Sequence, residues 1–292
     1  MNTVTSSSLF GTVMRRFAKD RVGLAGLTVL ACFVALALFA PILSPYDPLA
    51  TNLDADGRVV RMEAPSAHHW FGTDRLGRDI LSQTIYGSRV ALFVGLTSAL
   101  CSTFIGVNIG LIAGYFGRRL DDFLMRLTDI VYGIPFLPFA MILLALLGPS
   151  LWNIILAITL ITWRTTARAV RSQVLTLRHR AFVSSARVTG CGHWRIMYVH
   201  IAPNIISLSF AYTVITIAWS ILTEASLSFL GYGDPAQISW GKILFGAYVA
   251  QAVDVAWWWV IPPGVAITTV VLAFFFVGRT FEEITNPRLQ EE

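Results

Sequence analysis

The sequence predicts an all-α integral membrane protein with six transmembrane helices. Three observations lead there. Hydrophobic residues make up 55% of the 292-residue chain and charged residues only 13%, whereas a soluble domain is about a quarter charged. Apolar runs of about bilayer-spanning length recur along the chain. Lys and Arg are shared unevenly between the segments that link those runs, the asymmetry that orients a polytopic protein. In hydrocarbon every backbone amide must be paired within its own segment, so each run is expected to be helical.

The first span, 22–43, follows a basic segment, 1–21, that carries Arg15, Arg16, Lys19 and Arg21. An Ala-x-Ala occurs at 35–37, but the apolar run continues past it to Leu43. A cleavage site normally ends such a run, so an uncleaved span is expected rather than a signal peptide. The second span is 90–116 and the third 123–147. Pro135 and Pro138 are expected to kink the third and free carbonyls, as a hinge or as packing. The fourth, 151–170, is apolar without interruption only over 151–163, 13 residues or about 20 Å of helix. It must borrow the turns that carry Arg164 and Arg168, whose guanidiniums would snorkel to the interface. The fifth span is 201–222 and the sixth 256–277.

With the N-terminus in the cytoplasm, 16 of the 22 Lys and Arg fall on the inner side. They include Arg118, Arg119, Arg126, the seven arginines from Arg164 to Arg195, Arg279 and Arg288. Arg58, Arg61, Arg75, Arg78, Arg89 and Lys242 are left outside. Both termini are therefore expected to be cytoplasmic. The net charge of +5 reflects topology and not nucleic-acid binding, since no basic patch with interleaved aromatics stands clear of the membrane. Cys32 and Cys101 lie inside spans and read as small buried hydrophobes. Cys191 is cytoplasmic. No pair suits a disulfide, and no C-x-x-C suits a metal.

Three polar segments stand out. The outer segment 44–89 opens on SPYDP, where two prolines mark an extended turn. In it Asp74/Arg78 and Arg75/Asp79 have the i,i+4 spacing of a short surface helix. Trp70, Phe71 and Tyr86 suit an interfacial cap. His68 and His69 are adjacent and have no further ligand nearby, so a metal is not expected there. On the inner side, Arg164, Arg168 and Arg171 share one helical face, for which anionic lipid is the default partner. The stretch 178–200 is longer than the usual connector between helices, about 2–8 residues. It reads as a short helix over 182–188, a break at Gly190–Gly192 and a second short helix from Trp194: a docking surface. The outer segment 223–253 has few charges and suits a re-entrant or interfacial helix.

No catalytic constellation accompanies these features. The chain has no G-x-x-x-x-G-K-S/T phosphate loop, no H-E-x-x-H and no G-x-S-x-G, so it carries no recognisable ATP site or hydrolase site of its own. Asp129 and Glu224 are the carboxylates nearest the spans. Each is a candidate for the translocation path, with a structural anchor as the alternative; for Asp129 the anchor would pair with Arg126 or a neighbouring helix.

Four stretches resemble the permease subunits of bacterial ABC importers, in particular the second permease of the dipeptide/oligopeptide/nickel group. FGTDRLGRDILSQTIYGSRVAL (71–92) is similar to that group's signature after the first span. FVSSARVTGCGHWRIMYVHIAPN (182–204) resembles its EAA loop. EASLSFLGYG (224–233) with SWG (239–241) resembles its outer segment, and NPRL (286–289) its terminal D-P-R-L. Ala186, Gly190 and Pro203 fit the loop's pattern. Ser184 and Ser185 stand where the family has Glu and Ala, His200 and Ala202 where it has Ile and Leu, and Asn286 where it has Asp.

The resemblance implies a type I importer fold. It makes Phe182, Ser184, Ser185, Ala186, Arg187, Gly190, Gly192, Trp194, Arg195 and Pro203 a coupling loop for cytoplasmic ATPases. It implies two ATPase subunits that bind ATP and Mg, a related second permease sharing the pore, and an extracytoplasmic binding protein. This chain would hold no cofactor and sit in the bacterial inner membrane. Di- or oligopeptides are the expected cargo, with nickel or a metal chelate as the alternative. The scattered Met125, Met141 and Met197 read as packing. A channel or secondary transporter would leave the docking loop without a purpose, and an intramembrane enzyme would need a nucleophile–base pair that the spans lack.

Overall fold

The computed structural model describes residue 17 and residues 20–285. Arg15, Arg16, Lys19, Arg288 and the NPRL stretch lie outside the described residues. Among the described residues the chain is helical, with two isolated antiparallel bridges, Leu53 with Val59 and Thr73 with Asp79, and no strand. Four helices are long and apolar enough to cross a membrane, or five if a bent pair counts as one span. The expectation of six spans rests beyond that on the segment from Leu151, which is a helix with a short apolar part.

Helix α1 (Arg21–Leu38) starts at Asp20, whose side chain accepts from the Val22 amide. The other carboxylate oxygen accepts from Thr280 at 2.7 Å, tying α1 to the last helix. After a short turn with Pro41, a capping segment runs to Asp79, the N-cap of α2 (Ile80–Phe116). At 37 residues, α2 is about 55 Å long and outreaches a bilayer core. It ends at Gly117, where φ is +63°.

Helices α3 (Arg118–Gly133) and α4 (Phe136–Leu147) meet at 86°. The expected kink in a single span is thus a break between two helices. Pro135 is the N-cap of α4 and Pro138 lies in its first turn, where a missing N–H costs no helical bond. The prolines therefore start a helix rather than bend one.

Helix α5 (Leu151–Leu177) starts at Ser150, whose hydroxyl accepts from the Asn153 amide. It is followed by the short α6 (Ala181–Val188). Helix α7 (His193–Tyr232) is interrupted by a widened π turn at Ile196–Ile201 and a tightened 3-10 turn at Ala202–Ile205. Pro203 explains both, since it has no N–H to offer the carbonyl four residues back and the bonding register must shift around it. The Asn204 side-chain Nδ2 donates to the His200 carbonyl, at 2.7 Å, and occupies an acceptor in the disturbed turn. Helices α8 (Trp240–Val249) and α9 (Trp257–Thr285) complete the chain.

The helices pack through small residues. Gly106, Gly110 and Gly114 of α2 lie against the α5 backbone. A Cβ added at these positions would come within 2.6 Å of the Trp163 carbonyl, 2.5 Å of the Ala167 carbonyl and 2.7 Å of Val174. The register rises along both helices together, so α2 and α5 run parallel in direct backbone contact. Van der Waals contact and small residues, rather than water exclusion, hold helices together in lipid. At the other end Trp240 is buried over Gly87. Its indole N–H donates to the Thr84 carbonyl at 2.8 Å, and Phe33 meets its ring edge-on at 5.8 Å.

These contacts give the bundle two distinct ends. One gathers Asp20, Arg118, Arg178, α6 and Thr280; the other gathers the capping segment, Ser150, α8 and the start of α9. Cys32 and Cys101 correct the expectation of burial: both are exposed, on outward helix faces.

Candidate functional site

The expected docking loop is a built element. Arg178 donates to the Gly114 carbonyl at 3.0 Å, which pins the exit of α5 to the end of α2. Helix α6 turns Val183 and Ala186 inward, onto Leu111, Tyr115, Ile196 and Ile201. It ends in a two-bond stop: the Gly190 amide donates to the Arg187 carbonyl and the Cys191 amide to the Ala186 carbonyl, both at 3.0 Å. Gly190 has φ of +80°. This is the Schellman ending, which a glycine adopts without Cβ strain. His193 then bonds the Tyr115 hydroxyl at 2.9 Å, and the Tyr198 hydroxyl donates to Asn108 at 2.6 Å. Both sides of the turn are thus fastened to α2.

The outward face carries most of the residues expected to dock. Phe182, Ser184, Ser185, Arg187, Gly190, Gly192, Trp194 and Arg195 are exposed. Val188, which the sequence reading passed over, is 88% exposed, and Trp194 is 62% exposed. Ala186 is the exception. It is 7% exposed and packs on the bundle, so its small size serves the seating of α6 rather than the outer contact. Pro203 lies beyond the turn and shapes the entry into α7.

The arginine face of α5 closes on α3, which corrects the expectation that lipid headgroups are its partner. Arg164 donates to the Val131 carbonyl at 3.2 Å, and Arg168 meets Asp129 at 2.6 Å. Arg171 forms a two-point pair with Asp121, one bond of which is 2.6 Å. The guanidiniums of Arg164 and Arg168 also sit 4.6 and 4.1 Å from the Tyr132 ring centre, within cation–π range. Asp129 is the more open member of the group, its side chain 65% exposed. Replacing Arg171 with Ala leaves the largely buried Asp121 without its partner. We expect a loss of about 1–3 kcal/mol, read as a lower melting temperature of the detergent-solubilised protein. The exchanged pair Asp121→Arg with Arg171→Asp should recover part of it.

At the opposite end, Glu224 is 1% exposed. Its carboxyl accepts from Ser228 at 2.6 Å and bonds Ser239, the N-cap of α8. Next to it Gly241 lies so close to α7 that a Cβ would run into the Ala225 carbonyl. Glu224 therefore joins α7 to α8 from inside the chain. Lys242 spends its three N–H bonds on the carbonyls of Asp234, Pro235 and Gln237, at 3.1, 2.6 and 2.9 Å. Burial lowers its pKa, Asp234 opposes that, and nearby Arg78 adds to the lowering.

The capping segment is not the surface helix that the spacing suggests. Asp74 accepts from the amides of Leu76 and Arg78, at 2.7 and 2.9 Å, and from Gln83 at 3.1 Å. Asp79 accepts from the amide and hydroxyl of Ser82, both at 2.7 Å, and meets His69 at 3.0 Å. The short Asp side chain bonds nearby backbone more readily than it reaches an arginine, and Gly77 with φ of +74° closes the turn. The His69 ring packs at a tilt against Tyr46, their centres 4.7 Å apart. It is thus a structural partner of the α2 N-cap, a role the sequence gave no sign of. Gly106, Gly110 and Gly114 of α2, by contrast, recur every fourth residue, and that period was there to be read.

A bundle of membrane-length helices with a fastened, outward-facing turn at one end and a folded cap at the other has the build of a membrane transport subunit. Residues 106–291 match the family model of the binding-protein-dependent transport system inner membrane component, and residues 8–65 match the N-terminal TM domain of oligopeptide transport permease C. The chain belongs to this family of ABC transporter permeases, multi-pass membrane proteins. It is 38% identical over 240 residues to the oligopeptide transport system permease protein OppC of Bacillus subtilis, covering 82% of this chain and 77% of that one. It is 35% identical over 277 residues to the dipeptide transport system permease protein DppC of the same organism, covering 94% and 85%. To the DppC protein of Alkalihalophilus pseudofirmus it is 34% identical over 287 residues, covering 98% and 92%.

Proposed function

We propose that this chain is the membrane-spanning permease subunit of an ATP-driven importer of di- and oligopeptides. The observation that carries the reading is the α6 turn. It presents Val188, Phe182 and Trp194 to the outside on a mount fastened to α2 and α7. Exposed apolar and aromatic side chains on a rigid base are what a partner protein grips. Relatives named as oligopeptide and dipeptide permeases support the cargo class, and metal-chelate import is not favoured.

In this reading two cytoplasmic ATPase subunits hold ATP and Mg and seat the α6 turn. Their closure moves α6, and with it the buried cluster of Val183, Ala186, Leu111 and Ile196 that links it to α2 and α7. The bundle then shifts between two packings, which ATP biases by binding one better than the other. A related second permease faces this chain and shares the pore, and an extracytoplasmic binding protein delivers the peptide to the capped end. The exposed apolar residues of α3, Leu120, Phe123, Leu127 and Ile130, give that second chain or lipid a surface to cover. Asp129 is open to a path beside α3, whereas Glu224 supports the path from within.

The test is uptake of a labelled dipeptide into proteoliposomes holding both permeases, with the ATPases and binding protein added. Accumulation should require ATP. Equal uptake without ATP overturns the reading. The proposed topology puts both termini and Cys191 in the cytoplasm. With Cys32 and Cys101 replaced by Ala, a membrane-impermeant maleimide should label Cys191 in inside-out vesicles and leave it untouched in intact spheroplasts. The reverse pattern would invert the orientation.

A further inference from the structure

A cavity of about 510 Å³ opens at the capped end, between the capping segment, α8 and the first turn of α9. Arg61, Arg75, Arg78 and Lys242 line it, against a single carboxylate, Asp74. Asp74 is already engaged by two backbone amides and Gln83. Lys242 has spent its donors on three carbonyls, so it supplies field and not a hydrogen bond. Among the described residues, none of the three arginines forms an ion pair. The Arg78 Nε is buried and has no partner. A buried donor without an acceptor is costly, and an acceptor entering the cavity would satisfy it. The opposite wall is apolar, formed by Ile243, Phe245 and Trp259 among others.

We propose that this cavity is a transient site for the C-terminal carboxylate and last side chain of the incoming peptide. The inference rests on the peptide-import reading. The chemistry is directional. Guanidiniums take a carboxylate in paired, charge-assisted bonds, and excess positive charge repels the ammonium at the peptide's other end. The apolar wall accepts a hydrophobic last residue. A peptide handed over at this end would thus be held carboxylate-first, at a place with enough positive charge to catch it as it leaves the delivering protein.

Trp259 lies in the wall and reports on occupancy. The purified transporter complex, labelled with 5-fluorotryptophan, gives a fluorine resonance for Trp259 that is assigned by its loss in Trp259→Phe. Titration with leucyl-leucine should shift that resonance, and leucyl-leucinamide should not. Arg78→Gln should weaken the leucyl-leucine response by about tenfold or more. A resonance unmoved by leucyl-leucine, or moved equally by the amide or by acetate alone, overturns the proposal. The acid–amide comparison is made on the wild-type protein, so it stands even if the Arg78 variant folds poorly. Uptake of leucyl-leucine into the same proteoliposomes tests the importer reading separately.

Discussion

Val188→Glu should abolish ATP-coupled uptake while leaving the permease inserted and folded. Val188 is 88% exposed at the end of α6, so no packing in this chain is lost when it changes. A glutamate placed in a protein contact would carry an unpaired charge into a desolvated patch, and single changes at the centre of such contacts cost about 2 kcal/mol or more. That corresponds to roughly a thirtyfold loss of affinity for the ATPase. Three measurements check it: ATPase retained by the permease on affinity purification, ATP-dependent uptake, and the melting temperature. The first two should fall together and the third should hold. Ala186→Glu makes the contrast. It buries its charge against Leu111 and Tyr115, so here the melting temperature should fall as well. Wild-type coupling in Val188→Glu would remove α6 as the ATPase contact.

Gly110→Leu should prevent assembly of a stable bundle. The site has no room, since even a Cβ would sit 2.5 Å from the Ala167 carbonyl and 2.8 Å from Val170. Both neighbours belong to a helix whose backbone cannot step aside without breaking the same contact at Gly106 and Gly114. Overpacking costs about 1–3 kcal/mol where side chains can adjust, and more is expected where backbone faces backbone. The protein should still insert, because its spans remain apolar, but it should aggregate or be degraded when solubilised. Gly264→Leu is the control, with nothing within 4 Å of an added Cβ. A stable, monodisperse Gly110→Leu protein would show that α2 and α5 do not meet as described.

Local features were the ones legible in the sequence. The short helix expected over 182–188 occupies Ala181–Val188, since Gly190 marks its end by a backbone need that acts within a few residues. The arginine face of α5 was visible as a period, but its partner was not. Nothing local says that α3 will fold across α5 and bring Asp121 and Asp129 to meet it. Pro135 and Pro138 marked a discontinuity; whether it kinks one helix or begins another depends on where the chain after it packs. The spacing of Asp74 and Arg78 suits a helix as well as a turn, and Gly77 decided for the turn. Phe182, Val183, Ala186 and Val188 are all apolar. Which of them face inward is set by the pocket that α2 and α7 offer, and that pocket exists only in the folded bundle.

The glycine contact between α2 and α5 has a mechanical consequence. At Gly106, Gly110 and Gly114 the α2 side of the contact is bare backbone against α5, so little soft material separates the two helices and they act as one stiff lever. Arg178 and the α6 mount sit at one tip of it, and Leu151, bonded to Asp234, at the other. A tilt of about 10° about the α6 end would swing the far tip of a ~40 Å rod, the length of α5, by roughly 7 Å. A small displacement at the α6 end would thus reach the capped end as a larger one without any helix having to unwind.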